Sequence, residues 1–283
     1  MFPLRRSLIL GIVCATVLTC AAQVRVPATV QAGSGTTVQA SGSGSTMLYL
    51  FGPGGALKRE VQRGNIEISG QELKVAGRYT VIVDGDSASF FVTAAPLQKI
   101  AFVAHPSRVP AAASRAVQGS AFLFDGFQNL VLTPIPVTFR LAVEGDNGEE
   151  RRTSSRDGVA WVQLNSGRRS GPAHFVVTSG AIQVRRIVQQ VAADPCSIRM
   201  SALRAPDGNI LVETAPVQDC SGNAVPDGTI VTFTSVDAAG RSAVDARIKR
   251  GIARAELPAS RSATLSVAAG VVLGNEIHWG GGQ

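Results

Sequence analysis

The stretch DGFQNLVLTPIPVTF (Asp125–Phe139) lies without a gap on DCSGNAVPDGTIVTF (Asp219–Phe233). Asp125 falls on Asp219, Asn129 on Asn223, Val131 on Val225, and Val137-Thr138-Phe139 on Val231-Thr232-Phe233. The match resumes at slightly smaller offsets, as loop-length changes between two copies of one fold would produce. Gly158, Ala160 and Leu164 fall on Gly251, Ala253 and Leu257; Ala173, Val177 and Gly180 fall on Ala263, Val267 and Gly270. Matched blocks that alternate like strands, recurring at about the length of one Ig-type sandwich, predict an all-β chain of tandem Ig-like β-sandwich domains.

The chain starts with the pattern of an export leader. Arg5 and Arg6 precede an apolar run from Leu8 to Leu18, too short to span a bilayer comfortably, and Cys20-Ala21-Ala22 supplies a small-residue cleavage site. Residues 1–22 are therefore read as an N-terminal signal peptide, with Gln23 as the first mature residue. A second reading stays open: Val17-Leu18-Thr19-Cys20 has the outline of a bacterial lipobox, in which Cys20 carries a lipid. The first reading gives a secreted protein. The second gives a periplasmic or outer-membrane lipoprotein, with that lipid as its contact with the membrane.

Export bears on the other cysteines. Cys196 and Cys220 form an even pair in an oxidising compartment, which favours a disulfide over two buried thiols. A bridge there would stabilise the fold by about 3 kcal/mol in the chain-entropy account. Zinc would need further ligands, and no histidine lies nearby.

Composition agrees with a secreted all-β chain: aromatics are 5% of residues, and no long amphipathic helix pattern appears. Residues 23–96 read as a divergent Ig-like sandwich, with Thr46–Phe51 as a strand and Arg78–Val83 and Ser87–Thr93 as a hairpin around Asp84-Gly85-Asp86. Tyr79, just after Gly77, sits where a sandwich places a tyrosine corner, and aligning Gly85 with Gly180 assigns His174 the same slot in the next copy. Residues 97–193 and 194–283 read as two further Ig-like sandwiches. The net charge of +7 has its excess in the middle one.

The aligned blocks resemble bacterial Ig-like domains of group 1, the intimin and invasin type. Residues 194–283 carry the fuller match, in Asp219, Gly222-Asn223, Val231-Thr232-Phe233 and Gly251-Ile252-Ala253; the middle copy has Gln128 where the glycine of Gly-Asn belongs. The resemblance implies a scaffold of rigid spacer or adhesive modules on a bacterial surface, with a protein partner at the cell surface or outside the cell. Its motif residues belong to turns and strands, so it implies no catalytic role.

The residues themselves offer little chemistry. His105, His174 and His278 are scattered, and no nucleophile elbow, paired metal histidines or phosphate loop appears, so no enzyme, metal or cofactor is expected. The acidic turns at Asp84/Asp86 and Glu144–Glu150 lack the spacing of a calcium loop and read as solvated turns. Trp161 reads as buried or half-buried and Trp279 as exposed. One surface feature invites a ligand: Arg151, Arg152, Arg156, Arg168, Arg169, Arg185 and Arg186 crowd the middle module, and clustered guanidinium groups recognise carboxylate or phosphate. An anionic envelope glycan or lipid is the alternative partner on that account. Nucleic acid is not expected, because export and the lack of interleaved aromatics argue against it.

Overall fold

The computed structural model describes residues 24–280. The leader reading and Cys20 lie outside these residues. Every regular element among them is a strand, and they enclose three separate hydrophobic cores. The chain divides into two compact units, one ending at Ala95 and one beginning at Pro96; the second contains two of the cores.

The first unit is one five-stranded sheet in the order β1-β5-β4-β2-β3, built from β1 (Thr29–Gln31), β2 (Thr36–Gly52), β3 (Gly55–Ile68), β4 (Gly77–Val83) and β5 (Asp86–Thr93). The Gly- and Ser-rich residues 41–45 lie within the long β2. Its pairing with β3 runs from Thr36 to Ala40, breaks at Ser41–Gly44, and resumes from Ser45 to Gly52. A bulge of that kind bends a hairpin. Val38 and Ile66 on one arm and Leu48 and Leu50 on the other thus reach a single core. Met47, Tyr49 and Phe51 share the opposite, outer face, with Lys58 over the Tyr49 ring.

Tyr79 makes the expected corner. It is 3% exposed, and its hydroxyl donates to the Val75 carbonyl at 3.0 Å. Burial raises its phenol above the ordinary value, with the Val75 bond acting the other way. The ring packs against Gly52, where a Cβ would stand 2.2 Å from it. His174 does not share this role: it points to the outer face, and Ala173 takes the inward position after Gly171 that Tyr79 takes after Gly77. Aligning on the turn glycines placed it one residue off, which flips a strand residue to the other face.

The second unit opens with β6 (Lys99–His105), β7 (Arg108–Pro110), β8 (Val117–Phe124), β9 (Pro136–Val143), β10 (Glu149–Ser154), β11 (Val159–Leu164), β12 (Gly171–Ser179) and β13 (Ile182–Val191). They form a five-stranded sheet, β10-β9-β12-β13-β7, facing a three-stranded sheet, β11-β8-β6. Phe102, Phe139 and Phe175 meet between the layers, with Phe102 edge-on to Phe175 at 5.0 Å. Such aromatic pairs add about 0.5–1.5 kcal/mol each beyond the area they bury.

The unit closes with β14 (Pro195–Ser197), β15 (Met200–Arg204), β16 (Ile210–Thr214), β17 (Gln218–Asp219), β18 (Ile230–Asp237), β19 (Gly240–Arg247), β20 (Arg254–Leu257), β21 (Ala263–Ala269) and β22 (Val272–Trp279). The sheets are β19-β18-β21-β22 and β15-β16-β20, with β14 paired to β17 beside them. The repeat holds in three dimensions: Phe139 on β9 and Phe233 on β18 are both fully buried, as are Ala160 and Ala253. Cys196 and Cys220 are joined by a disulfide with a Cα–Cα distance of 4.7 Å, closing a loop of sequence separation 24.

Candidate functional site

The conserved feature of the repeat is a carboxylate that knots its own turn. Asp219 Oδ1 accepts the backbone N–H of Ser221 (2.9 Å) and of Asn223 (2.8 Å), and Oδ2 accepts the Asn223 side-chain amide at 2.9 Å. Asp125 does the same with Phe127 N–H, Asn129 N–H and the Asn129 amide, each at 2.8 Å. The residue before each Asn has a left-handed backbone: Gly222 at φ 84° and Gln128 at φ 69°. Glycine adopts this freely, and glutamine adopts it at a cost of about 1 kcal/mol.

Asp219 and Asn223 also bond groups outside their own turn. The Asn223 amide donates to the Arg168 carbonyl at 2.7 Å, and its Oδ1 accepts the Ser170 N–H at 2.8 Å, both in the loop between β11 and β12. Asp219 Oδ2 accepts the N–H of Ala193, in the connector between the two sandwiches, at 3.0 Å. Pro195 pairs with Asp219 in the ladder, and the Cys196–Cys220 bridge ties the same two segments covalently. Burial works against ionisation of Asp219, but its hydrogen bonds, that from Asn223 foremost, outweigh burial and hold the carboxyl below the ordinary range. Turn, connector and neighbouring loop therefore meet on one carboxylate–amide pair, and the geometry defines a joint between the two sandwiches.

The arginine pairs on strands divide between the two faces of the sheet. Residues adjacent on a strand point to opposite faces. Arg151 pairs in register with buried Phe139 and faces the core side of β10, while Arg152 faces outward; Arg186 and Arg185 divide β13 in the same way. Arg151 and Arg152 pair with Glu149 and Glu150 at 3.2 and 3.3 Å. Arg186 Nε donates to the Phe102 carbonyl at 3.1 Å, and Arg169 donates to the Glu144 carbonyl at 3.3 Å. Arg156 lies in the tight turn entering β11, and Arg168 joins the joint through its carbonyl.

Among the other candidates, Asp84 takes the Thr46 hydroxyl at 2.5 Å and the Arg63 guanidinium at 2.7 Å. Among the described residues no group of three or more His, Cys, Asp or Glu side chains could hold a metal ion. The tryptophans exchange their expected places. Trp161 is 61% exposed on the outer face of β11, whereas Trp279 is half-buried, with its Nε1 donating to Ser260 and Arg204 over its ring. Sequence reasoning valued Asp219 and Asn223 as turn formers and missed the joint, because the backbone groups they grip carry no side-chain signature.

The fold is a tandem Ig-like β-sandwich chain. Superposed on FdeC, an adhesin of Escherichia coli, it gives a TM-score of 0.60 over 92% of this chain and 100% of that one, at 13% identity. With InvD of Yersinia pseudotuberculosis the TM-score is 0.54 over 91% of this chain and 96% of that one, at 12% identity. No protein-family model and no curated protein sequence matches the chain.

Proposed function

We propose that this chain is an exported, non-enzymatic module of the bacterial cell surface, acting in adhesion or in the assembly of surface structures through protein contacts. The observation that carries this reading is the joint at Asp219 and Asn223. A carboxylate, an amide, a connector N–H and an adjoining disulfide spent on orienting one sandwich against the next suit a protein that must present a surface at a fixed distance and angle. The likeness of fold to FdeC, described as an adhesin, supports the same reading. The leader pattern and the oxidised cysteine pair agree with export. Protease treatment of intact cells of the producing bacterium, followed by immunoblotting, tests it. The expected result is loss of the full-length band from intact cells, with the disulfide formed; a protected chain that retains its leader contradicts it.

A further inference from the structure

The two sandwiches of the second unit differ at one edge, and the repeat supplies the comparison. In the middle sandwich the mouth between the two sheets lies between β10 and β11; in the last it lies between β19 and β20. Register places Glu149, Arg151 and Thr153 on the core side of β10, opposite Leu141, Phe139 and Val137. The same positions on β19, opposite Ser235, Phe233 and Val231, hold Ser242, Val244 and Ala246. The middle sandwich closes its mouth with these polar side chains: Glu149 reaches across to accept the N–H of Asn165 at 2.7 Å and pairs with Arg151. Inward-pointing charges of this kind block strand addition at a sheet edge. Among the described residues the last sandwich has no such closure. Its mouth is an open groove of about 900 Å³ with Val244, Ala246 and Ala255 on its floor, all three packed against the core.

Both walls of that groove are terminal strands, so β19 and β20 each have one edge without a ladder partner in their sheet. The rim is basic. Arg247, Lys249, Arg250 and Arg254 line it against Asp245 and Glu256. Arg254 is taken by Glu213, and Asp245 is turned to the Thr232 hydroxyl. Among the described residues no carboxylate pairs with Lys249 or Arg250, both exposed at the tight turn that enters β20. In the middle sandwich the equivalent turn is Arg156-Asp157, so the second basic charge is peculiar to the last copy.

We propose that the β19–β20 edge of the last sandwich is a docking groove for an extended acidic segment of a partner protein. The segment adds as a strand along β19, sets small apolar side chains on Val244, Ala246 and Ala255, and directs its carboxylates to Lys249, Arg250 and Arg247. Main-chain hydrogen bonds to the free edge supply affinity, and the basic rim selects acidic sequences over basic ones.

Calorimetric titration of the purified chain with a ten-residue peptide alternating Glu and Val, and with its Lys–Val counterpart, tests this. The acidic peptide is expected to bind and the basic one not. Lys249→Glu with Arg250→Glu should weaken binding at least tenfold. So should Ser242→Glu, Val244→Arg and Ala246→Thr together, which install the middle sandwich's own residues and so keep a strand that folds, as an unchanged melting midpoint would verify. Amides of β19 should gain protection from hydrogen exchange in the complex. Absence of binding at millimolar acidic peptide overturns the proposal. Binding that survives the three-residue graft also overturns it, since that is charge attraction without a groove. Sedimentation showing a dimer that the graft dissociates overturns it as well, by giving the edge to a second copy of this chain.

Discussion

Asn223 holds more of the structure than its size suggests, because its amide satisfies one turn within its own sandwich and two backbone groups of another. Replacing it with alanine leaves the Ser170 N–H, the Arg168 carbonyl and one Asp219 oxygen without these partners. The second unit should lose about 1–3 kcal/mol, read as a lowered thermal or urea midpoint. Acid should act on the same knot. A carboxyl held below its ordinary value contributes stability that is present above the unfolded pKa of about 4 and is lost as pH falls through the lower folded value. The unfolding midpoint should therefore be flat near neutrality and drop once the medium is more acidic than about pH 4. Asp219→Asn should be less stable at neutral pH and flatter in acid; a variant with wild-type acid dependence would assign that dependence to other groups. At the matching turn, Gln128→Gly relieves a left-handed glutamine and should stabilise by about 0.5–1 kcal/mol. Gly52→Ala should do the reverse, since its new methyl meets the Tyr79 ring, and a loss of about 1–3 kcal/mol in chemical denaturation is expected.

At the scale of elements, the disulfide offers the clearest handle. Reduction of Cys196–Cys220, or its replacement by Cys196→Ala with Cys220→Ala, should lower the stability of the last sandwich by about 3 kcal/mol in a denaturant titration under non-reducing and reducing conditions. Legibility divides along the same scale. Strands with one buried face announce themselves: Pro136–Val143 and Ile230–Asp237 each read from the Val-Thr-Phe alternation, and both lie mid-sheet. Edge strands do not. Glu149 and Glu150, which open the strand Glu149–Ser154, read as the end of an acidic loop, and Gly240–Arg247 has no strong alternation, because only one side of an edge strand meets a neighbour and polar residues there cost little. The facing of the arginine pairs was hidden for the same reason. Without knowing that Arg151-Arg152 lies on a strand, adjacent charges look like a cluster rather than two opposed faces. The bend of β2 has no side-chain signal either, since Ser41-Gly42-Ser43-Gly44, the bulge within it, holds only small residues.

On the scale of the second unit, a clasped pair of sandwiches emerges from short-range chemistry repeated along the chain. Each sandwich brings its own buried core and its own Asp–Asn knot, and Asp219 also accepts the N–H of Ala193 in the connector that precedes it. Closed and open sheet edges alternate within the same fold, so a scaffold built by duplication acquires distinct surfaces through three residues on one strand. The joint was not legible from sequence, since its partners are main-chain groups, whereas the sandwiches themselves were legible from the two aligned blocks.

The most direct test of this account is a pulsed electron–electron resonance distance between spin labels at Gln183→Cys on β13 and Ala243→Cys on β19, both exposed positions. A clasped joint predicts one narrow distance distribution that broadens when Asn223→Ala is added. A distribution already broad in the chain with Asn223 intact would contradict it.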